Sequence, residues 1–137
     1  MKELRVIPRL DIKGPNLVKT IFYEGLRVIG DPVFYAKKYY QDGADEIIYN
    51  DLVASLYDRN IDLDLIKNIK KEVFIPLIVG GGIRTVQDIE KCLASGADKV
   101  FLNTAIIENP EFLSLATNTF GSSTISVSIE ASLLEGS

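Results

Sequence analysis

Short β-branched runs alternate along this chain with amphipathic stretches, and that alternation leaves few folds open. The runs occupy 4–10, 46–50, 75–79, 99–102 and 124–129. Strands separated by helices pack most readily as parallel neighbours, so the pattern predicts βα units around a parallel sheet. The punctuation agrees. Gly30-Asp31-Pro32 reads as a capped helix start with proline at the first helical position, and Asn109-Pro110-Glu111 repeats the device. Thr85-Val86-Gln87-Asp88 resembles a capping box with Asp in the usual Glu place. Ile61, Leu65 and Ile69, then Val86, Ile89 and Leu93, recur at helical spacing, while Gly43, Gly96 and Gly121 stand where helices would stop. Four βα units and a fifth strand use nearly the whole chain.

The segment from Gly43-Ala44-Asp45-Glu46 to Asn50 recurs as Gly96-Ala97-Asp98-Lys99 to Asn103, which implies two βα-βα quarters. The same letters would also suit any helix-to-strand turn. A closed eight-stranded barrel needs about 250 residues, and this chain has 137. Residues 1–131 are therefore expected to form a truncated half (β/α)8 barrel, and 132–137 a tail of the kind cloning can add. Open strand edges would then invite pairing with another copy.

Composition narrows the chemistry. With 25% charged residues and a net charge of −4, nothing favours nucleic acid or anionic lipid as a partner. No apolar run approaches the roughly 18 residues of a membrane span, and the Met1-Lys2-Glu3-Leu4-Arg5 start lacks a signal-peptide core. A cytoplasmic protein is expected. Cys92 is the single cysteine and histidine is absent, so neither a disulfide framework nor the usual zinc sites can be assembled. No metal or cofactor is expected; catalysis must lean on carboxylates, lysine, tyrosine or backbone dipoles.

In a parallel α/β barrel the reacting groups sit where strands run out. Those positions here hold Asp11, Asp51, Gly80-Gly81-Gly82, Asn103-Thr104 and Glu130. Two carboxylates across one mouth can act as proton donor and acceptor when their surroundings separate them. The glycine run between a strand and a helix lets backbone N–H groups approach an anion, and Asn103 with Thr104 could complete a phosphate seat. At the other end, Arg5, Glu46 and Lys99 fall at strand starts. By residue physics alone they read as a structural ion-pair ring closing the floor.

These residues resemble a known family. Arg5-Val6-Ile7-Pro8 with Leu10-Asp11, Val18-Lys19, Gly30-Asp31-Pro32, Ile75-Pro76 with Val79-Gly80-Gly81-Gly82-Ile83, Gly96-Ala97-Asp98-Lys99-Val100, Asn103-Thr104-Ala105 and Phe120-Gly121-Ser122 look like the cyclase subunit of imidazole glycerol phosphate synthase, the HisF family of histidine biosynthesis. The resemblance covers residues 3–131 and implies the N-terminal half of a (β/α)8 TIM barrel. It implies a lyase and cyclase that takes ammonia from a glutaminase (glutamine amidotransferase) subunit docked at the barrel floor. The ammonia closes an imidazole ring on a phosphorylated ribulosyl substrate, which is cleaved to imidazole glycerol phosphate and an aminoimidazole carboxamide ribotide. By matching motif, Asp11 and Glu130 are implied as catalytic carboxylates, and Gly82, Asn103 and Thr104 as phosphate ligands, with Gly81 and Asp51 beside them. Lys19 is implied in a mobile first loop over substrate, Arg5, Glu46 and Lys99 in an ammonia gate, and Asp98 at the glutaminase interface.

Three departures stand out. The family's second catalytic Asp is matched by Glu130, whose extra methylene can move the carboxylate by about an ångström. Arg9 stands where the cyclases usually carry a small Cys. The second phosphate site and the fourth gate residue belong to a missing half. Arg9, Glu130 and the first loop at 18–26 also resemble a divergent branch linked to surface-sugar amination, in which the barrel delivers ammonia to a separate enzyme. A third reading, for residues 1–137 alone, is a phosphate-binding or self-associating half-barrel without catalysis.

Overall fold

The computed structural model describes residues 4–21, 25–57, 59–131 and 133. In chain order the elements are β1 (Arg9–Lys13), β2 (Asn16–Ile21), β3 (Gly25–Gly30), α1 (Pro32–Gln41), β4 (Ile47–Asp51), α2 (Leu52–Tyr57), α3 (Leu63–Glu72), β5 (Leu77–Gly80), α4 (Val86–Ala94), β6 (Lys99–Leu102), α5 (Thr104–Glu108), α6 (Glu111–Phe120) and β7 (Ile125–Val127). They build one seven-stranded sheet in the order β3-β2-β1-β4-β5-β6-β7. From β1 to β7 every neighbouring pair is parallel, so the expected four βα units and fifth strand are present. This is a partial (β/α) barrel.

Three expectations need correction. The first strand runs over Arg9–Lys13, not 4–10. Pro8 has no N–H to donate to a ladder, although its carbonyl still accepts from Ile48 N at 2.9 Å. The first loop is an antiparallel hairpin, β2 with β3, that extends the sheet past β1. The chain turns from β1 into β2 at Gly14, whose φ of +60° suits glycine, and β2 seats Leu17 and Val18 in buried positions. Phe22, Tyr23 and Glu24 of that expected loop lie outside the described residues. At 109–111 the expected cap is also different: Pro110 is the N-cap of α6, and Asn109 instead closes α5 by donating its N–H to Ala105 O. The Asp31 cap, the proline start of α1 and the Thr85–Asp88 capping box form as expected.

β1, β4 and β6 bury alternate residues. Leu10, Ile12, Ile47, Tyr49, Val100 and Leu102 pack against Ile66, Ile69, Ile89 and Phe112 from the helices. The intervening Arg9, Asp11, Ile48, Asn50, Lys99 and Phe101 are only partly buried or exposed, because helices cover one face of the sheet and the other lines an open cleft. The repeat acquires a physical reason here. Asp45 accepts from Val6 N at 2.7 Å while its own N–H donates to Val6 O. Asp98 treats Leu77 the same way, at 2.8 and 2.9 Å. Each Gly-Ala-Asp pins the start of an adjoining segment.

Candidate functional site

Parallel register lays the inner-face residues out in rows. Arg9 pairs with Ile48, Ile48 with Ile78, and Ile78 with Lys99. One row toward the strand ends, Asp11 pairs with Asn50, Asn50 with Gly80, Gly80 with Phe101, and Phe101 with Ser126. Of these rows, Arg9, Ile48, Asn50, Ile78, Phe101 and Ser126 wall a cleft of about 630 Å³ whose rim carries Gly81, Gly82, Asn103, Thr104 and Glu130. The structure thus brings Asp11, the glycine turn, Asn103-Thr104 and Glu130 to one end of the sheet.

Asp11 is the most heavily engaged group there, with its side chain only 16% exposed. Asn50 Nδ2 donates to its Oδ1 at 3.0 Å, Arg9 Nε lies 3.2 Å from the same oxygen, and Arg9 Nη2 donates to Oδ2 at 3.3 Å. Asn50 was legible only as the repeat partner of Asn103. That equivalence could have marked it, since both stand at strand ends.

The three glycines answer to packing as well as to any ligand. A Cβ on Gly80 would fall 2.4 Å from the Phe101 ring, one on Gly81 2.2 Å from Asp51 O, and one on Gly82 2.6 Å from the Ala54 backbone. Gly81 and Gly82 also hold φ of +93° and +78°. The backbone against them belongs to the β4–α2 junction, a short helix that the residue pattern did not announce. Its cap is Asp51: Oδ1 accepts from Val53 N at 3.0 Å and Ala54 N at 2.8 Å, and the residue is buried. Burial raises the Asp51 carboxyl above the ordinary value, the two backbone donors pulling the other way. On the helix side of the same strand, Tyr49 Oη is buried without a hydrogen-bond partner. Burial, and secondarily the charge of Asp51, raises its hydroxyl.

At the opposite end, Glu46 is buried with a side chain 6% exposed; Lys99 Nζ lies 3.2 Å from its Oε1 and Arg5 Nη2 3.4 Å from its Oε2. Asp98 stands at the same end, where Oδ2 takes Lys70 Nζ at 3.0 Å besides Leu77 N. Lys19 is exposed on the outer hairpin, opposite Arg27, and is not among the residues lining the cleft. Among the described residues no cluster of three His, Cys, Asp or Glu could hold a metal ion, and no helix is long and apolar enough to cross a membrane.

A parallel βα sheet with its polar groups sorted to the two strand ends defines a (β/α)-barrel protein of the kind that works at its strand C-termini. Residues 5–135 match the model of the family described as histidine biosynthesis protein, and the chain belongs to that family. Among curated proteins it is 54% identical to "Imidazole glycerol phosphate synthase subunit HisF" of Legionella pneumophila over 96% of this chain and 62% of that protein. It is 51% identical to the protein of that name from Lactococcus lactis subsp. cremoris over 93% of this chain and 49% of the relative. The protein of the same name from Thermococcus onnurineus is 45% identical over 93% of this chain and 50% of the relative. The chain spans about half to three-fifths of the length of these relatives.

Proposed function

We propose that the full-length protein is the cyclase subunit of an imidazole glycerol phosphate synthase. In this reading ammonia released by a glutaminase subunit enters at Arg5, Glu46 and Lys99 and travels along the inner face. At the mouth it closes the imidazole ring of a phosphorylated ribulosyl substrate, which then undergoes lyase cleavage. Asp11 and Glu130 share the proton transfers, while Gly81, Gly82, Asn103 and Thr104 seat a phosphate. Asp51 serves this seat indirectly, by capping the helix that packs under the glycines. Asp98 faces the glutaminase, and Lys19 approaches substrate from the hairpin.

The observation that carries the reading is the sorting of groups along one inner face of the sheet. Asp11 and the glycine turn lie at one end and the Glu46 ion pairs at the other. The test is ammonium-driven turnover of the bisphosphate substrate by the full-length protein. Turnover is expected to fall on the order of 100-fold or more in Asp11→Asn, as for loss of a positioned acid or base. An unchanged rate would remove Asp11 from the chemistry.

The Arg9 contacts with Asp11 favour a second reading, an ammonia-delivering subunit for a sugar-modifying enzyme. It predicts stimulation of a glutaminase partner without turnover of the bisphosphate.

A further inference from the structure

Arg9 is given no role in the cyclase reading proposed above, yet it makes the closest charged contact with Asp11. The two residues are i and i+2 on β1 and so project from the same face. The guanidinium presents its fork to the carboxylate: Nη2 donates to Oδ2 at 3.3 Å, and Nε lies 3.2 Å from Oδ1 as an ion-pair contact. A planar fork fixes both the position and the plane of a carboxylate, which a point charge cannot do. Asn50 donates to Oδ1 from the neighbouring strand. An ionised carboxylate has about four acceptor sites. One hydrogen bond reaches each oxygen, and Arg9 Nε lies against Oδ1 besides, so Oδ2 is the less crowded of the two.

Row placement favours the same role. Arg9 sits one row below Asp11, level with Ile48 and Ile78, while Lys99 in that row turns to Glu46 at the floor. The two cations of the row are thus committed to opposite ends. Without Arg9, Asn50 alone would hold one oxygen and leave the carboxylate free to swing about that contact.

We propose that Arg9 is a positioning residue for Asp11. With Asn50 it orients the carboxylate so that Oδ2, met by one donor where Oδ1 is flanked by two groups, is the oxygen that exchanges a proton with substrate. This rests on the function proposed above, since it assigns Asp11 a proton transfer. Arg9 acts through Asp11 and not by holding substrate.

The experiment uses the full-length protein with ammonium as nitrogen donor and reads kcat and KM separately for Arg9→Met, Arg9→Lys, Asp11→Asn and the double variant Arg9→Met/Asp11→Asn. Arg9→Met is expected to lower kcat on the order of 10- to 100-fold, the scale of an ångström misplacement, with KM for the bisphosphate within about threefold. Arg9→Lys should restore part of the loss. The double variant should be no slower than Asp11→Asn, because removing a support costs nothing once the supported group is gone. A raised KM at unchanged kcat, or losses that multiply in the double variant, overturns the proposal. A nitrogen-15 spectrum of the Arg9 Nε–H reads the fork without turnover: slow guanidinium rotation in the wild type, lost in Asp11→Asn. Free rotation in the wild type overturns the proposal by itself. A wild type that shows the fork but does not turn over the bisphosphate refutes the proton-transfer role together with the functional reading, leaving a structural ion pair.

Discussion

Replacing Gly81 by alanine tests whether the glycine turn is held by packing, and the same replacement at Gly43 is a matched control. Both adopt positive φ, +93° and +98°, but a Cβ on Gly43 meets nothing within 4 Å whereas one on Gly81 falls 2.2 Å from Asp51 O and 2.7 Å from Asp51 N. Forcing alanine into left-handed backbone costs about 1–2 kcal/mol, and Gly43→Ala should lose about that much. Gly81→Ala adds a steric conflict that is relieved only by moving the β4–α2 junction. That movement strains the bonds from Asp51 Oδ1 to Val53 N and Ala54 N. Overpacking costs about 1–3 kcal/mol, and a weakened helix cap about 1 kcal/mol. The expected loss for Gly81→Ala is therefore about 3–6 kcal/mol, roughly 2–4 kcal/mol more than Gly43→Ala loses. Urea unfolding of the two variants beside the parent measures both. A Gly81→Ala loss within about 1 kcal/mol of the Gly43→Ala loss would show that the junction yields freely and that packing does not dictate this glycine.

Two further outcomes concern the helix side of β4. Tyr49→Phe removes a buried hydroxyl without a partner; it should leave stability unchanged or raise it by about 1–3 kcal/mol, the scale of an unsatisfied buried polar group. A clear drop in Tm would mean the hydroxyl is bonded in solution. Asp51→Asn keeps an oxygen to cap α2 but removes the ionisable group. Because burial raises the native Asp51 carboxyl, the protonated form favours the folded state. That contribution is complete below the unfolded value near pH 3.8 and is lost as pH rises through the raised native value. The stability of Asp51→Asn relative to wild type should accordingly improve between pH 3 and pH 7, as read by thermal melts across that range. A difference that moves the other way would sink the assignment of burial as the dominant influence.

Much of the frame was legible in the residues because it depends on short-range chemistry. The proline start of α1, the Thr85–Asp88 box and the stops at Gly43, Gly96 and Gly121 are local backbone preferences, and helix-separated strands pair in parallel for reasons of connection. Counting inward from the motifs was enough to sort Asp11 from Lys99 to opposite ends, since strand position maps directly onto height in a parallel sheet. What escaped was set by neighbours distant in sequence. The hairpin at 16–30 depends on a sheet edge for it to extend, and α2 on the glycine turn that accommodates it. Asp51 reads as a strand-end carboxylate like Asp11, yet strand alternation sends it to the helix side, where it caps α2. Arg9 and Asp11 share a face by spacing alone, whereas the Asn50 bond to Asp11 needs the register of β4 beside them. Backbone preference and burial period are carried by adjacent residues; which donor meets which carboxylate is decided only when strands far apart in the chain come into register.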